Sequence, residues 1–128
     1  MRLPILAAVL SLTPLVHAQT GAPDPTFGTD GRVVFDPSGT LESGASDVVA
    51  LPDGRILLAG TIGGDAAVLR LTAAGALDPT YGAAGIRRVD LGGSGDAFTD
   101  LALLPDGSAV AVGALTDSDD TPLGAVVA

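Results

Sequence analysis

Short apolar runs separated by turn residues follow one another along most of the chain, and they predict β-strands. The turn Pro-Asp-Gly occurs twice, each time between two such runs. Proline presets the backbone dihedral φ, aspartate bonds back to the backbone, and glycine accepts a positive φ. Each copy therefore predicts a hairpin, the first joining Asp47–Leu51 to Arg55–Thr61 and the second joining Asp100–Leu104 to Ser108–Ala114.

Two more strands are expected after the first hairpin. Ala66–Leu71 is an apolar run that ends at the turn-like residues 72–75, and Ile86–Leu91 follows another turn. Arg32–Phe35 is the earlier copy of this last run, so it is also predicted to be a strand. Helices are disfavoured, because glycine and proline interrupt the alanine-rich parts before three helical turns can form.

The chain contains an internal repeat of about 53 residues. Asp24–Gly28 (DPTFG) recurs as Asp78–Gly82 (DPTYG), a step of 54 residues. Leu51–Gly54 (LPDG) recurs as Leu104–Gly107, a step of 53 residues. Because the two motifs agree to within one residue, the step is interpreted as the length of a structural unit.

The apolar runs do not alternate with polar residues, which indicates that both faces of the strands are covered. Examples are ILLA at 56–59 and AVAV at 109–112. An antiparallel sheet with one wet face alternates, whereas each blade of a β-propeller packs between two others. The predicted fold is therefore all-β, with antiparallel four-stranded propeller-like blades preceded by a signal-peptide helix. A two-layer sandwich is the alternative.

Three segments together resemble the delta-60 repeats, which are propeller-type repeats of secreted bacterial proteins. They are Leu51–Gly60 (LPDGRILLAG), Ala67–Leu71 (AVLRL) and Gly75–Gly82 (GALDPTYG), and the resemblance extends over about residues 23–127. It implies a β-propeller blade in an exported bacterial protein. It brings no established catalytic residue, ligand or cofactor, so none is carried over.

The repeat divides the chain into four expected segments. Residues 1–18 are a signal peptide and 19–31 are a linker with a partial repeat start. Residues 32–91 are the first blade-like repeat, and 92–128 are a second, truncated repeat. The prediction is thus one complete blade and one partial blade.

The second repeat departs from the first after Gly113, where it holds about six extra residues. Aligning Val68 with Val127 accordingly gives a step of 59 residues. Two blades are too few for a ring, which typically takes four or more. We therefore expect a fragment of a longer reading frame, a decayed copy, or a part that assembles with others. Unpaired edge strands also predict self-association.

The beginning of the chain has the three-part pattern of a secretory signal. Met1 and Arg2 form a short positive region, Leu3–Val16 is apolar, and Ala18 and Gln19 flank the predicted cleavage site. The apolar stretch is shorter than the ~20 residues that cross a bilayer. The predicted localisation is secreted or periplasmic, with no stable membrane insertion after cleavage.

The composition removes many kinds of chemistry. The chain has no Cys and no Lys, and cleavage would remove its single histidine, His17. Thiolate metal sites, Schiff bases, P-loops and Ser-His-Asp triads are therefore excluded for the mature chain. Six basic against fifteen acidic residues give a formal charge of −9, so nucleic acid is not an expected partner.

Carboxylates are the remaining candidates for chemistry. Asp117, Asp119 and Asp120 form an acidic cluster that could offer oxygen ligands to Ca²⁺. The cluster lacks the glycine and distal glutamate of an EF-hand loop, so a solvated loop is the simpler interpretation. The aspartates of the two repeated motifs are interpreted as turn residues, because a turn is needed in every unit and an active site only once.

Three other residues are interpreted as structural or are left without a role. Phe27 and Tyr81 share one repeat position and are expected to fill the gap between neighbouring blades rather than to stack on a ligand. Arg70 lies in an apolar strand, and the sequence names no partner for its charge.

The sequence therefore predicts an exported, non-enzymatic repeat protein or fragment, a propeller-like scaffold or binding module. No cofactor is expected, and the partner is an unidentified protein or glycan. Two alternatives remain open at this point. One is a carboxylate-based hydrolase completed by further blades, and the other is a truncated copy with no independent function.

Overall fold

The described part of the chain is built of β-strands and turns. A computed structural model describes residues 21–35, 39, 43–90, 92, 95–116 and the backbone of 122–127. No helix occurs among these residues, so the predicted all-β class is confirmed. The predicted signal-peptide helix lies outside the described residues.

In the described part of the chain, seven strands form two antiparallel sheets. Sheet 1 has the order β1-β2-β3-β4, and sheet 2 has the order β5-β6-β7. The predicted four-stranded antiparallel sheet is thus confirmed for the first repeat. In chain order the strands are β1 (Ser43–Ala50), β2 (Ile56–Ile62), β3 (Asp65–Leu71), β4 (Ile86–Val89), β5 (Gly95–Leu103), β6 (Ala109–Thr116) and β7 (Pro122–Val127).

Both predicted Pro-Asp-Gly hairpins are confirmed. In the first, the Leu51 N–H donates to the Arg55 carbonyl at 2.7 Å and the Gly54 N–H donates to the Leu51 carbonyl at 3.0 Å. Gly54 has a φ of 85°, which is the reason for glycine at this position. The second turn repeats both bonds, and its Gly107 has a φ of 86°.

A different turn joins β2 to β3. Gly63 and Gly64 are its two central residues, with φ of 59° and 90°. Positive φ at both central positions is the mark of the type I′ turn, whose twist matches that of antiparallel strands. The pairing of Ile62 with Asp65 closes this hairpin.

The Asp-Pro-Thr-aromatic-Gly motif forms the same turn in both of its copies, Asp24–Gly31 and Asp78–Gly85. In each, an aspartate carboxylate accepts bonds from the threonine N–H and hydroxyl two residues later. The backbone then takes positive φ at three matching places, namely Gly28 and Gly82, Asp30 and Ala84, and Gly31 and Gly85. The repeat seen in the sequence is therefore also a repeat of backbone conformation.

The prediction of a strand at Arg32–Phe35 is wrong. Arg32 forms only isolated bridges, with Gly28 and Thr29 of the turn before it. Its repeat equivalent, β4, becomes a strand because Ala66–Leu69 of β3 lies beside it. No strand of the described residues lies beside Arg32–Phe35, so its backbone groups form no ladder.

The strand register matches the predicted alignment of the two repeats. Ala59 pairs with Val68 in sheet 1, and Val112 pairs with Val127 in sheet 2. Ala59 and Val112 are equivalent at the repeat step of 53 residues, so their partners Val68 and Val127 are equivalent too. These partners are 59 residues apart, as the sequence alignment predicted. Three of the six extra residues therefore lie between β6 and β7, and the other three lengthen these two strands.

The two sheets pack face to face, with β5 lying against β1, β2 and β3. We call the contacting surfaces the inner face of sheet 1 (Leu57, Ala59, Ala66 and Val68) and the inner face of sheet 2 (Phe98, Leu101 and Ala111). Small residues on sheet 1 allow close approach, and Phe98 fills the space between the sheets at 1% exposure.

Candidate functional site

An apolar groove runs along the surface of sheet 1 that faces away from sheet 2. Its volume is about 420 Å³. Val48 pairs with Leu58, and Leu58 pairs with Leu69, so these three side chains form one row across the sheet. We call this surface the open face of sheet 1, and its lining includes Ala45, Val48, Ile56, Leu58, Leu69 and Leu71.

The segment before β1 forms the rim of the groove. Phe27, Val33 and Phe35 all line it. The Gly28 N–H donates to the Ala74 carbonyl at 2.8 Å, which attaches the segment to the β3–β4 connection. Val33, Val34 and Phe35 are 36%, 86% and 38% exposed. The rim is therefore an apolar surface in contact with solvent.

Exposed apolar side chains extend onto the open face itself. Val48 is 60% exposed although it lies in the middle of β1. Exposed apolar side chains around one groove, here Val48 with Val33 and Phe35 of the rim, are typical of a binding site. Such a groove can take an apolar ligand or an apolar protein surface.

A polar cluster lies at the C-terminal end of β3, on the face opposite the groove, and supplies the partner that the sequence did not name for Arg70. The Arg70 Nε donates to Asp78 Oδ2 at 2.8 Å, and the Arg55 Nη1 reaches the same oxygen at 3.3 Å. The Thr80 hydroxyl donates to Asp78 Oδ1 at 2.6 Å. Asp78 is therefore a buried acceptor that joins the aspartate turn to β3 and to the first hairpin.

Tyr81 is stacked within this cluster. The Arg70 guanidinium carbon lies 4.7 Å from the centre of the ring, and that of Arg87 lies 5.9 Å from it. Burial raises the pKa of the Tyr81 phenol. Tyr81 also packs against the hydrophobic core between the sheets, as the sequence predicted for this position.

Thr80 lowers the pKa of the Asp78 carboxyl well below its usual range, and Arg55 and Arg70 lower it further. An aspartate with a depressed pKa in the folded state stabilises the fold above its unfolded pKa of about 3.9. That stability is lost as the pH falls through the lower folded pKa. Asp78 consequently remains an anion at neutral pH and accepts hydrogen bonds from Arg70 and Arg55 in that state.

Replacing Asp78 with asparagine should make the stability of the protein less dependent on pH. At about pH 7 we expect Asp78→Asn to unfold at a lower urea concentration than the unchanged chain, because Arg70 loses its anionic partner. The difference should shrink as the pH falls below about 4. Circular dichroism during urea titration, at about pH 7 and about pH 2.5, measures it.

The exposed Asp30 provides the matched control, since Asp30→Asn also removes one carboxylate from an aspartate turn. This variant should follow the unchanged chain at both pH values. An Asp78→Asn difference that is the same at both pH values would contradict the assigned role of the carboxylate.

The Asp47 carboxylate forms a hydrogen bond between the two sheets. Asp47 Oδ2 accepts the Leu101 N–H at 2.7 Å, and its Oδ1 accepts the Val48 N–H at 2.8 Å. The backbone N–H groups of Leu101 and Val48, in that order, lower the pKa of Asp47. A bulge between Ala45 and Asp47 turns the carboxylate towards sheet 2. The repeat spacing of Asp47 and Asp100 is visible in the sequence, but the bond between the sheets is not.

The remaining repeated aspartates cap turns, as predicted. Asp24 accepts from Thr26, Asp53 from Arg55, and Asp106 from Ser108. In each case hydrogen bonds from that partner lower the carboxyl pKa. These carboxylates are therefore ionised acceptors at neutral pH, held in their turns by the same hydrogen bonds.

Three of the predicted site residues, Asp117, Asp119 and Asp120, lie outside the described residues, as do Ala18 and Gln19 of the predicted cleavage site. Within the described ranges, no three His, Cys, Asp or Glu side chains are grouped so that they could hold a metal ion. The same part of the chain contains no helix of the length and apolar character needed to cross a membrane.

Comparison with known proteins finds no matching family model, no matching curated protein and no matching solved structure. The groove and the two carboxylate clusters are therefore interpreted from their own geometry.

Proposed function

We propose that the chain is an exported, non-enzymatic repeat module of the β-propeller type, which binds a protein through the open face of sheet 1. The proposal includes membership of the delta-60 repeats, a signal peptide at residues 1–18 and a secreted or periplasmic location. The observation that carries it is the apolar groove of about 420 Å³ on a face that blade-type packing would cover.

The composition of the groove favours a protein surface over a glycan. Its lining is mainly aliphatic, with Phe27 and Phe35 at the rim. Binding of a glycan needs a set of hydrogen-bonding side chains among its contacts, whereas a protein surface can be held largely by apolar burial. The formal charge of −9 further favours a partner whose contact surface is neutral or basic.

The use of the aspartates supports a non-enzymatic role. Glycoside hydrolysis requires one carboxyl whose pKa is raised so that it can donate a proton. Asp78, Asp53 and Asp106 are instead held as anions by hydrogen bonds. The carboxylate-hydrolase alternative therefore gains no support from these residues.

Binding of the neutral dye Nile red tests whether the groove accepts apolar surface. The chain is taken as an expression host exports it, with an N-terminus expected at Gln19. We expect dye fluorescence to rise and shift to the blue with the unchanged chain. Val48→Asp should weaken dye binding about tenfold or more, because it places a charge in the groove.

Ala84→Asp is the matched control, because it adds the same charge at an exposed turn whose repeat equivalent is Asp30. It should bind the dye like the unchanged chain. Equal dye binding by both variants, or none by the unchanged chain, would refute the groove as a binding surface. Saturable binding of a soluble polysaccharide that Val48→Asp abolishes would indicate a glycan partner instead.

A further inference from the structure

The two sheets meet through faces that are not equivalent to each other. The inner face of sheet 2 contains Phe98, Leu101 and Ala111. Counting back by the repeat step of 53 residues, these positions correspond to Ala45, Val48 and Leu58. Those three residues line the groove on the open face of sheet 1. The open face is thus the repeat equivalent of a face that is covered in sheet 2.

The surface of sheet 2 that faces away from sheet 1 is the repeat equivalent of the inner face of sheet 1. Val110 and Val112 correspond to Leu57 and Ala59 of the inner face of sheet 1. We call this surface the outer face of sheet 2, and it contains Ala102, Val110 and Val112. Val112 is 36% exposed, although its equivalent Ala59 is fully buried.

We propose that copies of this chain associate head to tail, with the outer face of sheet 2 in one copy packing on the open face of sheet 1 in the next. This inference rests on the proposed function and names its protein partner as a second copy. The sheet 1–sheet 2 junction within the chain is the template for the contact between chains.

The carboxylate bond between the sheets supports the same arrangement. Within the chain, Asp47 of sheet 1 accepts the N–H of Leu101 in sheet 2. The repeat equivalents of these two residues are Asp100, beside the outer face, and Val48, on the open face. Head-to-tail packing therefore brings the Asp100 carboxylate of one copy to the Val48 N–H of the next. That N–H already donates to Asp47 of its own copy, just as the Leu101 N–H donates to both Asp47 and Asp100.

The sizes of the side chains also agree with this contact. The junction between copies replaces Phe98 by the smaller Ala45 on one face, and it replaces Ala59 by the larger Val112 on the other. The two changes partly compensate in volume, which keeps the packing close to that of the template.

The rim of the groove completes the correspondence. Tyr81 and Val89 pack against the core at the junction within the chain. Their equivalents at a step of 54 residues are Phe27 and Phe35, which line the groove. Phe27 and Phe35 thus supply apolar side chains beside the open face, as Tyr81 and Val89 do at the junction between the two sheets.

Head-to-tail contacts differ from edge pairing in a way that mixing two variants reveals. In a heterologous interface each copy uses two different surfaces. Val48→Asp blocks the open face and leaves the outer face intact, whereas Val112→Asp does the reverse. Each variant alone lacks one of the two faces in every copy and so cannot form the contact. In a mixture, the intact outer face of Val48→Asp can pack on the intact open face of Val112→Asp.

The experiment is sedimentation velocity of the exported chain from micromolar to millimolar concentration, with Ala84→Asp as the charge-matched control. We expect the unchanged chain and the control to associate, and more strongly at high salt, because the excess of acidic over basic residues makes copies repel. Each face variant should associate at least about tenfold more weakly. Their equimolar mixture should form a 1:1 dimer and nothing larger.

Three results would overturn the proposal. The first is that either face variant self-associates like the unchanged chain, which edge pairing would give. The second is that the mixture stays monomeric while both variants keep native circular dichroism spectra. The third is that the unchanged chain is monomeric at every concentration. A monomeric chain that still binds Nile red in the groove would refute self-association alone. Loss of dye binding would refute the proposed function as well.

Discussion

Replacing Phe98 with alanine should lower the free energy of unfolding by about 3–5 kcal/mol. Phe98 is 1% exposed and belongs to the cluster of buried side chains that joins the two sheets. Its removal loses the transfer energy of the ring and leaves a cavity, because the backbones on both sides are held by strand pairing. For a chain of this size, that is a large fraction of a typical total stability.

Urea titration followed by circular dichroism measures the loss. Val112→Ala is the matched control, since it also truncates an apolar strand residue of sheet 2 but one that is 36% exposed. We expect it to cost less than about 1 kcal/mol. Equal losses in the two variants would mean that the sheets are not held together through Phe98.

Adding a single methyl group at Gly60 should cost about 1–3 kcal/mol, although its φ is not positive and a side chain is conformationally allowed there. A Cβ at this position would collide with the carbonyl oxygen of Gly44, on the neighbouring strand β1. The obstacle is backbone rather than a side-chain tip, so β1 and its bulge must shift. Gly113, the repeat equivalent, would collide in the same way with the carbonyl of Ala97.

Gly60→Ala and Gly113→Ala should therefore have similar effects on the urea midpoint, and Gly44→Ala serves as the control. A Cβ at Gly44 has no heavy atom within 4 Å. We expect this substitution to leave the midpoint unchanged or to raise it slightly, because alanine reduces the freedom of the unfolded chain. A harmless Gly60→Ala would show that β1 is not held close to β2 at the bulge.

The strands were predictable where the determinant is local. Pro52-Asp53-Gly54 and its copy fix two hairpins through turn chemistry that acts over a few residues. Gly63-Gly64 carries an equally local signal, a two-glycine turn between apolar runs. Arg32–Phe35 has the same sequence pattern as β4 but no strand beside it, and the presence of a neighbour is not a local property.

The candidate site was predictable only in outline. Non-alternating strands indicated that both faces need cover, which is consistent with an apolar groove on the open face of sheet 1. The partner of Arg70 was not predictable, because Asp78 is brought back to it by the connection at 72–77, where Gly75 has a φ of 85° and the Asp78 N–H then donates to the Arg70 carbonyl. The Asp47 bond depends on how one sheet packs on the next, which no residue spacing specifies.

The acceptor for Asp47 across the sheets is a main-chain N–H, and this has a consequence for how such repeats diverge. A bond to the peptide backbone does not depend on which side chain the neighbouring strand carries. The spacing of adjacent units can thus persist while the residues on their contacting faces change. Ala45 and Phe98, which occupy the same repeat position, already differ in this way. Duplicated copies could accumulate substitutions on their faces, and hence acquire new binding preferences, without losing their alignment.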